Sequence, residues 1–223
     1  MTAYRARLTE SDIRRLIKSD AEDERAAAAH KLCRSIDRMP LDDIEREAAQ
    51  KILTVMANDA AELVRRALAV TLKASDLMPR EVARRLVADA DSVALPMIAS
   101  SPVFTDDDLI EIVRSGSAVR QNAVAARDRV PRDVATVLAA EGCQSAVRAL
   151  AANDNADISE AALGVAIDRF GEASEVVSAI AYRQVLPLSV TEPLVALARD
   201  AVREPLVARH AVAPETAIQS AHF

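Results

Sequence analysis

No tryptophan occurs in this chain of 223 residues, and its aromatic side chains are only Tyr4, Phe104, Phe170, Tyr182 and Phe223. So few rings exclude an interior filled by aromatic volume. They also disfavour sites that stack single-stranded or flipped bases. Glycine is equally scarce. Four in the whole chain leave little material for hairpin turns, and none stands in a phosphate-cradling run or a G-x-S-x-G elbow. The two cysteines, Cys33 and Cys143, lie far apart and outside any paired motif, which predicts free thiols in a reducing compartment. No stretch approaches the roughly 18 uncharged apolar residues of a membrane span. The opening MTAYRARLTESDIRRL lacks the apolar core of a signal peptide. A cytoplasmic protein is expected.

What the chain does contain is helix-forming. Hydrophobic residues make up 51%, mostly Ala, Val, Leu and Ile, and with Glu and Arg these favour helix over strand. Small side chains suit thin helices packed closely in layers. With 28 basic against 34 acidic residues and a formal charge of −6, a general attraction to nucleic acid is disfavoured.

A beat runs through this composition. Val64-Arg65, Val119-Arg120, Val147-Arg148 and Val202-Arg203 recur, with Val93 and Val176 between them, at spacings of 29, 26, 28, 29 and 26 residues. Such a period predicts stacked repeats. In each unit the marked valine opens an i,i+4 pair on a first helix: Val64 with Leu68, Val93 with Met97, Val119 with Ala123, Val147 with Ala151, Val176 with Ile180 and Val202 with Leu206. Pro79, Pro102, Pro131 and Pro187 introduce a second helix in most units. Its pairs are Val82 with Leu86, Leu109 with Val113, Val134 with Leu138, and Val190 with Leu194. In the fourth unit Asp157 is the expected cap, and Gly164 inside that helix suggests a close backbone approach. Pro96 and Pro205 should shorten or kink the first helices of their units.

The expected fold is all-α: a right-handed α-solenoid of two-helix repeats. Residues 1–58 form an N-terminal helical cap, followed by units at about 59–88, 89–115, 116–142, 143–171, 172–198 and 199–223. Within the cap, Thr9 and Asp12 predict a capping box for a helix from Glu10 to Lys18. A second helix spans Ala21 to Arg38. A third starts near Leu41, with Leu41, Ile44, Ala48, Ile52 and Val55 as its inner stripe. The last unit ends at Phe223 without a polar cap, so homo-oligomerisation through the C-terminal end is expected.

The string MANDAAELVRRALAVTLK, residues 56–73, resembles the first half of a HEAT repeat. AVRQNAVAARDRVPRDVATVLAAEG and SAVRALAANDN resemble the related leucine-rich-repeat-variant pattern. The chain also resembles the uncharacterised bacterial families built on such repeats, those labelled only as domains of unknown function. The likeness covers about residues 58–212 and implies a HEAT-like superhelix that binds proteins, with nucleic acid or a small molecule as rarer ligands. Ala94 and Val177 stand where the pattern has arginine.

Arg65, Arg120, Arg148 and Arg203 occupy equivalent places in the beat and should lie along one line. Two readings apply. They form a structural ladder to acids of the neighbouring unit such as Asp59 or Asp89, or they make a basic strip that takes acidic side chains of a partner protein. Asp106, Asp107 and Asp108 read as first-turn acids rather than a metal site. Asp154-Asn155-Ala156-Asp157 lacks the Gly and Glu of a calcium loop. His30 and Cys33, three apart on one helix, read as an ordinary histidine and a buried thiol rather than zinc ligands. No catalytic group, metal or cofactor is expected. The leading expectation is a non-enzymatic scaffold for another protein. The alternatives are a nucleic-acid-binding HEAT-like protein and an enzyme acting on a small molecule held between repeats.

Overall fold

The computed structural model describes residues 19–38 and 40–197. The expected helix Glu10–Lys18 and the unit 199–223, with Val202, Arg203, Pro205 and Phe223, lie outside the described residues. Among the described residues there are twelve α-helices and no strand, so the fold is all-α. One isolated parallel bridge, Val130 to Ala156, is the single extended pairing among them. No described helix is long and apolar enough to cross a membrane. The chain divides into two compact units, Met1–Thr105 and Asp106–Phe223.

The first unit holds α1 (Glu22–Arg38), α2 (Asp43–Met56), α3 (Glu62–Leu72), α4 (Arg80–Val87) and α5 (Asp91–Ser100). Three acids in the first turn of α1 and Arg38 in its last turn suit the helix dipole. Its buried face is Ala26, Ala29, Leu32, Cys33 and Ile36. This face lies along α3, which packs in turn on α5, and α4 also packs on α5. The α3 face is Val64, Leu68, Ala69 and Leu72. Each fully buried leucine or valine in such a face contributes roughly 1.5–3 kcal/mol. Asp42 caps α2 in a reciprocal box with Glu45, each side chain bonding the other residue's backbone N–H.

The buried stripe of α2 corrects the sequence expectation. Ala49, Leu53 and Met56 face inward. Leu41 is only half-buried, while Ile44, Ala48, Ile52 and Val55 are exposed. The helix carries two apolar stripes, and periodicity alone does not say which one a neighbour covers.

The second unit holds α6 (Asp106–Ser115), α7 (Ala118–Ala125), α8 (Arg132–Glu141), α9 (Gln144–Ala152), α10 (Glu160–Phe170), α11 (Ser174–Ala181) and α12 (Leu188–Leu197). Packing alternates along the chain. α7 meets α9 and α9 meets α11, while α6 meets α8, α8 meets α10 and α10 meets α12. Prolines open second helices as predicted: Pro79 and Pro131 are the N-cap residues of α4 and α8, and Pro187 immediately precedes α12.

Four local expectations need correction. Val119 is 52% exposed, and α7 instead buries Val124 and Ala125. Relative to Val64, the third residue of its helix, Val119 is the second of its own, so the Val-Arg mark is rotated by about 100°. Ser159, not Asp157, caps α10, accepting from the Ala162 N–H at 3.2 Å. Asp157 pairs with Arg132 at 3.1 Å. Helix α5 runs through Pro96 from Asp91 to Ser100 without being shortened at its start. Gly164 makes no close approach: a Cβ there would meet nothing within 4 Å. Gly164→Ala should therefore stabilise the chain by about 1 kcal/mol through the alanine's lower conformational entropy in the unfolded state. A denaturant midpoint unchanged or lowered in this variant would show that the site is crowded after all.

Candidate functional site

The most regular polar arrangement ties the start of one helix to the start of the next in its row. Arg25, the fourth residue of α1, donates through Nη1 to the carbonyls of Ser19 and Asp20 at 2.9 and 3.2 Å. Its Nε and Nη2 grip both oxygens of Asp59 at 3.2 and 3.1 Å. Arg65, the fourth residue of α3, repeats every bond. Nη1 donates to the carbonyls of Asp59 and Ala60 at 2.7 and 3.0 Å. Nε bonds Asp89 Oδ2, and Nη2 bonds Asp89 Oδ1 at 3.0 Å. The planar guanidinium supplies the fork geometry for both tasks at once. Each carboxylate also accepts a backbone N–H at the helix start, Ala61 on Asp59 and Ala90 on Asp89, both at 2.8 Å.

Burial pushes the Asp59 carboxyl up. The Arg25 bonds, the Ala61 N–H and the charges of Arg25 and Arg65 outweigh it and hold the group below its ordinary value. The Arg65 bond holds Asp89 down against an opposing effect of burial. Carboxylates with lowered folded pKa values stabilise the fold fully above the unfolded value of about 3.9. That stability is lost as pH falls through the folded values. Acid titration should thus destabilise the first unit below about pH 4, and Asp59→Asn with Asp89→Asn should flatten that part of the pH curve. An identical acid limb in the double variant would refute the assignment.

Arg120 and Arg148 stand at other helix positions than Arg25 and Arg65. By helix position they are the third residue of α7 and the fifth of α9, whereas Arg25 and Arg65 are fourth. Arg120 is half-buried. Arg148 is exposed. The Glu175 carboxyl is lowered chiefly by its own backbone N–H, then by Gln144, with a smaller effect of the Arg148 charge. Arg203 is outside the described residues. The fourth position of α7 is Gln121. Its amide donates to the Val113 carbonyl and accepts the Cys143 N–H, both at 2.8 Å, and so links α6, α7 and the start of α9.

A second set of clamps holds helix ends. The Asn153 side chain donates to the carbonyls of Ala125 and Arg127 at 3.0 and 2.8 Å. Arg183 donates to the carbonyls of Ala151, Asn153 and Ala156 at 3.0, 3.0 and 3.1 Å. Arg169 of α10 does the same for Ala139 and Gly142 at the end of α8, at 2.6 and 2.9 Å. These groups satisfy carbonyls that every helix leaves open at its C-terminus. The sequence held a signal for Arg25: Ser19 and Asp59 each stand six residues before their arginine. It held none for Arg169 or Arg183, whose acceptors lie about 30 residues away along the chain.

The remaining candidates have ordinary surroundings. His30 Nδ1 lies 2.7 Å from Thr71 Oγ1. Cys33 is buried, and burial with the nearby Asp37 pushes its thiol up to about 12, so it stays protonated and unreactive.

A concave feature lies in the first unit. The Arg25–Asp59 pair holds the start of α1 beside the end of α2, so the two helices run antiparallel. Between them opens a cleft of about 1060 Å³. Leu32 and Ile36 of α1 form one wall, and Ala48, Ile52 and Val55 of α2 the other. Leu41 and Glu45 lie at one end, and Ser19, Asn58 and Ala60 at the other. Beside it, Ile44 is 80% exposed and Val55 70%. Single exposed apolar residues are common; here Ile44, Ala48 and Ile52 form an exposed row at i,i+4 spacing beside the groove. The walls of the groove are mostly apolar, and Arg25, Glu45, Lys51 and Asp59 also line it.

No curated protein matches the chain, and no solved structure does. A family model matches residues 93–223, more than half of the chain, and is described as an uncharacterised protein conserved in bacteria (DUF2336). The chain belongs to that bacterial family.

Proposed function

We propose that the chain is a non-enzymatic scaffold that docks a helix of another protein, built as a right-handed superhelix of two-helix, HEAT-like repeats. One observation carries the docking role. The outer stripe of α2, from Leu41 to Val55, is apolar yet uncovered and lines a cleft. Helix-in-groove recognition needs that combination: a preformed trough and anchor contacts at i, i+3 and i+4 spacing. The repeat architecture is supported by the matching clamps at Arg25 and Arg65, and by the alternate packing of α6 to α12. In such an architecture each helix pair is stabilised by its neighbours, and one face is free to bind.

The test places a photo-crosslinking p-benzoylphenylalanine at Val55 in the producing cells. One discrete adduct with another protein, removed by Ile44→Lys at unchanged melting temperature, supports the reading. No adduct, or a smear that Ile44→Lys leaves intact, contradicts it.

A further inference from the structure

The two ends of the α1–α2 cleft differ in charge. We propose that the helix docked there is cationic, with its positive residues at the end that lies against the start of α1. This names the chemistry of the partner and rests on the docking reading above.

The start of α1 is acidic on one side of the ledger only. Asp20, Glu22, Asp23 and Glu24 are all exposed there. The neighbouring base, Arg25, lines the cleft, and its guanidinium is engaged by Asp59 and by the carbonyls of Ser19 and Asp20. The field of these acids reaches the lining. Arg25 is held above its ordinary value first by its Asp59 bond, and Glu22 and Asp20 add to this through their charge. At the Leu41 end the signs are mixed: Arg34, Arg38 and Arg46 stand exposed among Asp37, Asp42 and Asp43. Residues 19–60 together hold ten acidic and six basic side chains, so the complement of this surface is positive, and most strongly so at the α1 start.

The apolar contact fixes the rest of the partner. Leu32 and Ile36 on one wall and Ile52 and Val55 on the other take anchors at i, i+3 and i+4. Helix α2 is about 21 Å long, the length of a docked helix of about 14 residues. Lysine or arginine in the last turn of that helix also suits its own dipole, so its C-terminus is the end that meets α1. The same charges argue against other occupants. Anionic lipid and nucleic acid are repelled from the acidic end. A second copy offering its own α2 brings acids in the first turn and no base in the last.

The experiment uses the purified full chain and two labelled helical peptides of about 16 residues, read by fluorescence anisotropy. Both carry the same leucine face at i, i+3, i+4 and i+7; one ends in lysines, the other in glutamates. The lysine peptide should bind about ten-fold tighter at low salt, an advantage that shrinks to under about three-fold at about 0.5 M salt. Asp20→Asn with Glu22→Gln and Asp23→Asn should remove most of the advantage without weakening the glutamate peptide. Equal affinities, or a lysine advantage that neither salt nor the triple variant reduces, would overturn the cationic reading. The docking reading would survive that result if Ile52→Gln with Val55→Gln abolished binding of both peptides. Binding of neither peptide, at native melting temperature, would overturn both.

Discussion

Replacing Arg183 by alanine should cost about 2–4 kcal/mol of stability, because hydrogen bonds from a charged donor contribute about 1.5–3 kcal/mol each. The carbonyls of Ala151, Asn153 and Ala156 lose the guanidinium together, while those of Asn153 and Ala156 keep the backbone N–H groups of Ala156 and Ile158, each at 3.1 Å. Water can replace part of it, since Arg183 is half-buried rather than sealed, and this keeps the loss below the full sum. For a chain of this length the melting temperature should fall by on the order of 10 °C. Arg183→Lys should recover less than half, because one ammonium cannot span three acceptors in different directions. A loss under about 1 kcal/mol, within the range of an ordinary surface substitution, would show that the end of α9 is held by packing alone.

The second large effect is expected at Arg65. An exposed ion pair contributes about 0–1 kcal/mol and breaking a fully buried one costs about 3–5. The Arg65–Asp89 side chains are 19% and 17% exposed, and the same guanidinium holds two carbonyls. Arg65→Ala should therefore cost about 2–4 kcal/mol. A double-mutant cycle with Asp89→Asn should return a coupling of about 1–2 kcal/mol. Arg148→Ala, exposed and lying off this row, should stay within about 0.5 kcal/mol. Additive effects at Arg65 and Asp89 would remove the clamp from the account. A loss at Arg148 equal to that at Arg65 would restore the idea of four equivalent arginines.

Helix content and pairing were legible in the sequence, because proline, capping residues and the i,i+4 pairs act within one or two turns. Val64, Val93, Val147 and Val176 are buried where the beat placed them. Arg65 with Asp89 was legible too, since Asp89 was one of the acids named for the ladder. What local spacing does not carry is rotation about the helix axis. A one-residue shift in the start of α7 moved Val119 outward and gave the clamp position to Gln121 rather than Arg120. The same limit applies to α2, where two apolar stripes compete and only the neighbouring helices decide between Leu53 and Ile52. The helix-end clamps Arg169 and Arg183 escaped for another reason: their partners are carbonyls, which every residue carries and no sequence pattern marks.

Arginine, glutamine and asparagine side chains on backbone groups tie helices to the next of their row. The account stands on that neighbour-to-neighbour stabilisation. Amide hydrogen exchange, followed helix by helix in Arg183→Ala and the parent chain, tests it most directly. Protection should fall in α9 and α11, where the clamp acts, and stay at the parent level in α1 and α3. An equal loss of protection in every helix, or none in α9, would contradict it.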